Sequence, residues 1–226
     1  MREVVLDTET TGLDPAAGHR VVEIGALEFM NGARTDRRFQ RYLNPERPMP
    51  EDARAVHGLE DHFLADKPLF AEIVDELLEF LGDAQLVIHN AAFDLGFLNA
   101  ELGRVGRPSL QNPFIDTVTL ARRRFPGQRA SLDALCERFA ISNSHRTFHG
   151  ALLDAELLGE VYVELTGGRQ RGLALVSGTA VLEVETTAAL IAGPRREPRP
   201  HAASAEELAA HAAFLAKIKD PVWLQE

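Results

Sequence analysis

The chain is poor in cysteine, lysine and long apolar runs, and each scarcity narrows what it can be. Its one cysteine, Cys136, excludes an intramolecular disulfide framework and any CxxC zinc site, and fits a reducing compartment. Lysines make up 3 of the 24 basic residues, the mark of an arginine-biased genome and no guide to mechanism. No uncharged apolar run approaches the ~20 residues that would span a membrane. The opening MREVVLDTET meets acidic residues too early for a signal peptide, so a cytoplasmic protein with no membrane partner is expected. There is no Walker A loop, no GxGxxG, no GxSxG elbow and no HExxH; His145 and His149 have the spacing of a zinc pair but nothing to complete one.

What is present is an ordinary globular composition, 45% hydrophobic and 26% charged, over 226 residues. That length suits one domain and a tail. The net charge of −10 is unevenly placed. Residues 1–103 are strongly acidic, whereas residues 104–146, with Arg122, Arg123, Arg124 and Arg129, are basic. Such asymmetry suggests a site, and the basic stretch is a candidate for contacts to a phosphate backbone.

Periodicity predicts the elements. Val4-Val5-Leu6, residues 20–30 and residues 34–43 read as three strands, the last two joined at the turn signal Asn31-Gly32. Helical spacing appears over 69–81, 92–102, 116–124, 132–140 and about 150–165. Leu86-Val87-Ile88 and Phe114-Ile115 read as short strands between them, and Cys136 as a small core residue. The expected fold is α/β: a mixed sheet of three antiparallel strands followed by parallel ones, flanked by helices, over about residues 1–168. Residues 169–203, with the segment GPRREPRP, read as a linker, and residues 204–218 return to a helical pattern with Ser204 and Glu207 as a capping box.

Three clusters can carry chemistry. Asp7 and Glu9 end the first strand, where residues i and i+2 face one side. Two carboxylates there repel unless cations or protons intervene, which makes a hard metal their natural companion. Asp94 lies in the first turn after the Leu86–Ile88 strand. His149 precedes the last helix and Asp154 lies one turn inside it. Each has a bland reading as a polar strand end or a helix-start residue favoured by the macrodipole. Their joint occurrence is far more specific.

On DTETTGL, VVEIGALEF, LVIHNAAFDLGFL, RASLDALCERF and HGALLDAELLGEVY, the chain resembles the DEDDh 3′–5′ exonuclease family, of ribonuclease H-like fold. It is most similar to the branch that proofreads for bacterial replicative polymerases. The resemblance implies Asp7, Glu9, Asp94 and Asp154 as ligands of two divalent ions, Mg²⁺ or Mn²⁺, and His149 as the general base. Asp7, Glu9 and Asp154 would also face the substrate, a single-stranded or frayed 3′ DNA end. His57 and Asp52 would meet its terminal nucleotide; the family position aligned with Asp52 is often Glu, and Glu51 is adjacent.

The tail bears on partners. Gln170, Leu173 and Leu175 resemble a sliding-clamp peptide, and the letters alone suit a plain linker equally well. Leu208, Ala212, Leu215 and Ile218 form an apolar stripe, followed by Trp223. Residues 204–226 resemble a tail that binds the polymerase catalytic subunit, with docking on the exonuclease core as the alternative. The expected function is a 3′–5′ proofreading DNA exonuclease, associated with the nucleoid during replication. The alternatives are a stand-alone nuclease of RNA ends or short oligonucleotides, and a non-catalytic adaptor, against which all five chemical groups argue.

Overall fold

In a computed structural model, residues 1–143, 148–167 and 203–218 are described. β1 (Arg2–Thr10), β2 (Val21–Met30) and β3 (Ala33–Tyr42) pair antiparallel, while β4 (Gln85–Ile88) lies parallel to β1 and β5 (Phe114–Asp116) parallel to β4. The sheet order is β3-β2-β1-β4-β5, the mixed sheet expected from the patterning. Asn31 and Gly32 turn the β2–β3 hairpin with φ of 55° and 81°, the paired positive angles that a tight hairpin turn demands.

β1 is the central strand and is buried on both faces, which explains its unbroken apolar run. Val4 and Leu6 join a core built with α3 (Phe70–Leu81) and α4 (Ala91–Arg104). Val5 joins a second core with α6 (Leu132–Phe139) and α7 (Ala151–Leu165), to which α5 (Thr117–Arg124) adds Ala121. Cys136 is fully buried in that second core, as expected.

Two helices escaped the sequence reading: α1 (Glu51–His57) and α2 (Asp61–Leu64). Each buries a single residue, His57 or Leu64, so neither leaves an apolar period to detect. The C-terminal helix, α8 (Ala205–Leu215), is shorter than its apolar pattern suggests but has the expected Ser204–Glu207 capping box. The chain divides into two units, Met1–Ala174 and Leu175–Glu226. No helix among the described residues is long and apolar enough to cross a membrane.

Where α7 begins, its backbone lies close against β2. A Cβ on Gly25 of β2 would stand 2.2 Å from the Leu152 nitrogen and 2.3 Å from the Ala151 carbonyl carbon. Farther along, a Cβ on Gly159 of α7 would stand 2.7 Å from the Phe29 ring of β2. A backbone neighbour cannot swing aside as a side chain can. Gly25→Ala should therefore destabilise the fold by at least about 2 kcal/mol in urea unfolding, in the range of overpacking mutations.

Candidate active site

The functional groups gather where β1 and β4 end, the edge at which open α/β sheets commonly bind ligands. Odd-numbered residues of β1 share the face of Val5, toward α7, and even-numbered ones the face of Leu6, toward α4. Asp7 and Glu9 therefore face the α7 side together. Glu9 and Asp154 are buried, while the His149 side chain keeps 46% of its surface exposed. His149 Nδ1 stands 3.2 Å from Asp154 Oδ2. Ligand atoms of Glu9, His149 and Asp154 all lie within 4.8 Å of one another. The backbone amide of His149 donates to the Val56 carbonyl of α1 at 3.1 Å, which ties the residue down just before its helix.

Asp94 stands outside that close group and approaches from the other face of β1. Asn90 takes the left-handed conformation, φ 66°, so the chain turns from β4 straight into α4 and sets Asp94 in the first turn. Asp94 is 2% exposed and accepts a hydrogen bond from Thr8 Oγ1 at 2.7 Å. Burial pushes its carboxyl up to about 7, against the opposing pull of the Thr8 bond.

His57, at the end of α1, is buried beside the group. Burial lowers its pKa, and repulsion from His149 lowers it further, although the Thr10 carbonyl favours the protonated ring. Its Nδ1 accepts from the Leu59 amide at 3.1 Å, so the neutral ring carries its proton on Nε2. Among the described residues, that buried Nε2 has no hydrogen-bond partner of good geometry. A donor left over at the rim of a carboxylate cluster suits an oxygen brought by a ligand.

Asp52 is exposed in the first turn of α1, and its neighbour Glu51 is engaged with Arg54 at 2.7 Å. Several arginines of the basic stretch are engaged within the fold. Arg124 donates to the Leu165 carbonyl at the far end of α7, about 16 Å of helix beyond Asp154. Arg129 pairs with Glu137, and Arg138 covers the Phe125 ring. Part of the basic segment thus serves helix ends and packing. Gln170, Leu173, Leu175 and Trp223 lie outside the described residues, as does His145. In α8, Leu208 is exposed, as is Ile218 just beyond it, whereas Leu215 is buried; exposed Phe214 belongs with the apolar residues and was not singled out by the stripe.

Sequence reasoning also passed over Thr8, Glu23 and Gly25. The signal for Gly25 was available, since glycine inside a β-branched strand marks a close backbone approach. Nothing local distinguished Glu23 from a solvated strand residue.

The donors are hard carboxylate oxygens with one imidazole, gathered closely enough to share a cation, and this set fits Mg²⁺ or Mn²⁺ better than a soft metal. Without a cation, the buried charge opposes folding. A raised carboxyl takes up a proton on folding, so the stability it permits is full below about pH 4 and is lost as pH rises through about 7. Metal-free Asp94→Asn protein should thus melt higher than wild type at pH 8, and the gap should close toward pH 5, as followed by circular dichroism.

Known proteins resemble this chain in sequence and in fold. Residues 4–162 match the exonuclease family. DNA polymerase III subunit epsilon of Rickettsia felis is 56% identical over 180 residues, 78% of this chain and 79% of that protein. The subunit of the same name from Escherichia coli K12 is 45% identical over 223 residues, 95% and 92% of the two chains. Among solved structures, exonuclease X in complex with 5′ overhanging duplex DNA superposes with a TM-score of 0.58 at 27% identity, covering 73% of this chain and 90% of that one. The nuclease domain of 3′hExo, a DEDDh family member bound to rAMP, gives a TM-score of 0.64 at 15% identity, covering 73% and 91%, a likeness of fold. With Asp7, Glu9, Asp94, His149 and Asp154 at the end of this sheet, the chain belongs to the exonuclease family.

Proposed function

We propose that this protein is the 3′–5′ proofreading exonuclease of a bacterial replicative DNA polymerase, cutting single nucleoside 5′-monophosphates from a single-stranded or frayed DNA end. The observation that carries the reading is the close grouping of Glu9, Asp154 and a half-exposed His149. It is joined by the resemblance to subunits named for DNA polymerase III along nearly the whole chain: 49% identity over 222 residues, 96% of each chain, to the Rickettsia conorii subunit.

Hydrolysis of a phosphodiester requires a deprotonated water, charge stabilisation at phosphorus and an aligned scissile bond. Two Mg²⁺ or Mn²⁺ ions, held by Asp7, Glu9, Asp94 and Asp154, would supply the charge stabilisation and help to activate the water. His149 takes the water's proton. With Nδ1 on Asp154, Nε2 is the ring nitrogen that would accept the proton. Asp154 orients this ring as well as serving the cation. His57 offers its Nε2 proton to an oxygen of the terminal nucleotide, a neutral donor whose depressed pKa keeps it from competing for the water's proton. Asp52, exposed on α1, would meet substrate only farther from the cleaved bond.

The tail completes the assignment. Residues 1–168 would act as the nuclease and 169–203 as linker, with Gln170, Leu173 and Leu175 engaging the sliding clamp. Residues 204–226 would bind the polymerase catalytic subunit through Leu208, Leu215, Ile218 and Trp223. Exposed Leu208, Phe214 and Ile218 support this, because a short helix with apolar residues in water gains stability from a partner. Work on the chromosome would place the protein in the cytoplasm, at the nucleoid during replication.

Labelled single-stranded DNA with Mn²⁺ should be shortened from its 3′ end to mononucleotides, and a matched RNA much more slowly. Faster cutting of the RNA would favour a stand-alone RNA nuclease instead. His149→Ala should lower kcat by roughly 10²–10⁴-fold, the usual size of a general-base contribution; near-wild-type turnover would remove His149 from the mechanism. Deleting residues 201–226 should abolish co-purification with the polymerase subunit and leave hydrolysis of single strands intact.

A further inference from the structure

His149 directly precedes α7 and Asp154 lies in its first turn, so whatever fixes the start of α7 fixes both groups. The helix has no side-chain cap of its own, because Gly150 occupies the N-cap. The amide of Ala151, its first residue, donates instead to Glu23 Oε2 on β2 at 3.0 Å. The other oxygen, Oε1, accepts from Gln40 Nε2 on β3 at 2.8 Å. Glu23 is only 2% exposed, and in the β1–β2 register it stands directly opposite Glu9. Like charges directly opposite each other destabilise a sheet, so packing of the strands alone does not favour a second carboxylate there. Two residues along, Gly25 leaves room for the backbone of Ala151 and Leu152 to lie against the strand.

We infer that Glu23 is a positioning residue for the hydrolytic reaction: it reaches from β2 to hold the first turn of α7 and so sets His149 and Asp154 in place against Glu9. The inference deepens the exonuclease reading and rests on it. Glu23 touches no reacting atom; its effect passes through the Ala151 amide. What matters is the length of its reach. The acceptor needs an oxygen at the end of two methylenes, and the strand cannot slide to bring a shorter side chain closer without breaking its pairing on both sides.

Two variants of the full chain separate reach from charge. Glu23→Gln keeps an oxygen for the Ala151 amide, and the Gln40 amide can turn to accept from the new NH₂ group. Glu23→Asp keeps the charge but withdraws the carboxylate by about 1.5 Å, one carbon–carbon bond. On single-stranded DNA with Mn²⁺, well below the melting temperature, Glu23→Asp should lower kcat by ~10–100-fold, as small misplacements of catalytic groups do. Its KM should stay within about twofold, since Glu23 does not touch substrate, and Glu23→Gln should keep kcat within about threefold of wild type. Amide hydrogen exchange at Ala151 should accelerate in the Asp variant alone.

Wild-type kcat in Glu23→Asp would overturn the inference. So would a loss of kcat that only matches the unfolded fraction seen by circular dichroism. A loss of about tenfold or more in Glu23→Gln would also overturn it, whatever the Asp variant does, because Glu23 would then act through its charge. Absence of nuclease activity in the wild-type chain would instead remove the exonuclease reading, while the exchange at Ala151 would still report whether Glu23 holds α7.

Discussion

The seating of the first turn of α7 against β2 is the contact on which the rest of the site depends. It brings an imidazole and a carboxylate from one end of the domain to a strand-end carboxylate near the other. Glu9 and Asp154 are separated by most of the domain in sequence, yet their ligand atoms share one small volume. Gly25 permits the approach by having no side chain, and Glu23 gives the helix amide an acceptor. Farther along, Gly159 lets the same helix lie on Phe29, and Tyr162 donates to the buried Glu3 of β1 at 2.6 Å. The helix is thus held along its length, which keeps its first turn from rocking.

The second constraint is the number of acidic groups the domain buries. Some are neutralised within the fold: Glu28 is held well below the usual carboxylate range chiefly by Arg2, and Glu101 lies between Arg20 and Arg104. Others lie against hydroxyls and amides instead. Asp94 has a threonine hydroxyl for a partner and is pushed upward by burial. The division between carboxylates matched by arginine and carboxylates matched by hydroxyl or amide sets Asp94 among the second kind, with the scaffold residues Glu3 and Glu23. It also gives the charge of −10 a location, since part of the acidity is concentrated where a cation and a phosphate would meet.

Much of this was legible in the letters. The strand and helix order followed from period-two and helical spacing, and Asp7, Glu9, Asp94, His149 and Asp154 stood out as candidates by their places at element boundaries. Helices α1 and α2 were not legible, because each buries one side chain and leaves the rest in water. Asp52 and His57, five residues apart on α1, differ in placement: one is exposed, the other buried beside His149.

The sequence by itself determined the class of fold and the chemical groups available, because periodicity and short motifs are local and survive without knowledge of neighbours. Only the tertiary structure decided how those groups face one another. It placed Asp94 on the opposite side of β1 from Asp7 and Glu9, took Arg124 to the far end of α7, and gave Glu23 a helix to hold. Each of these outcomes depends on which element packs on which face of the sheet, a property of layers that no single stretch of sequence contains.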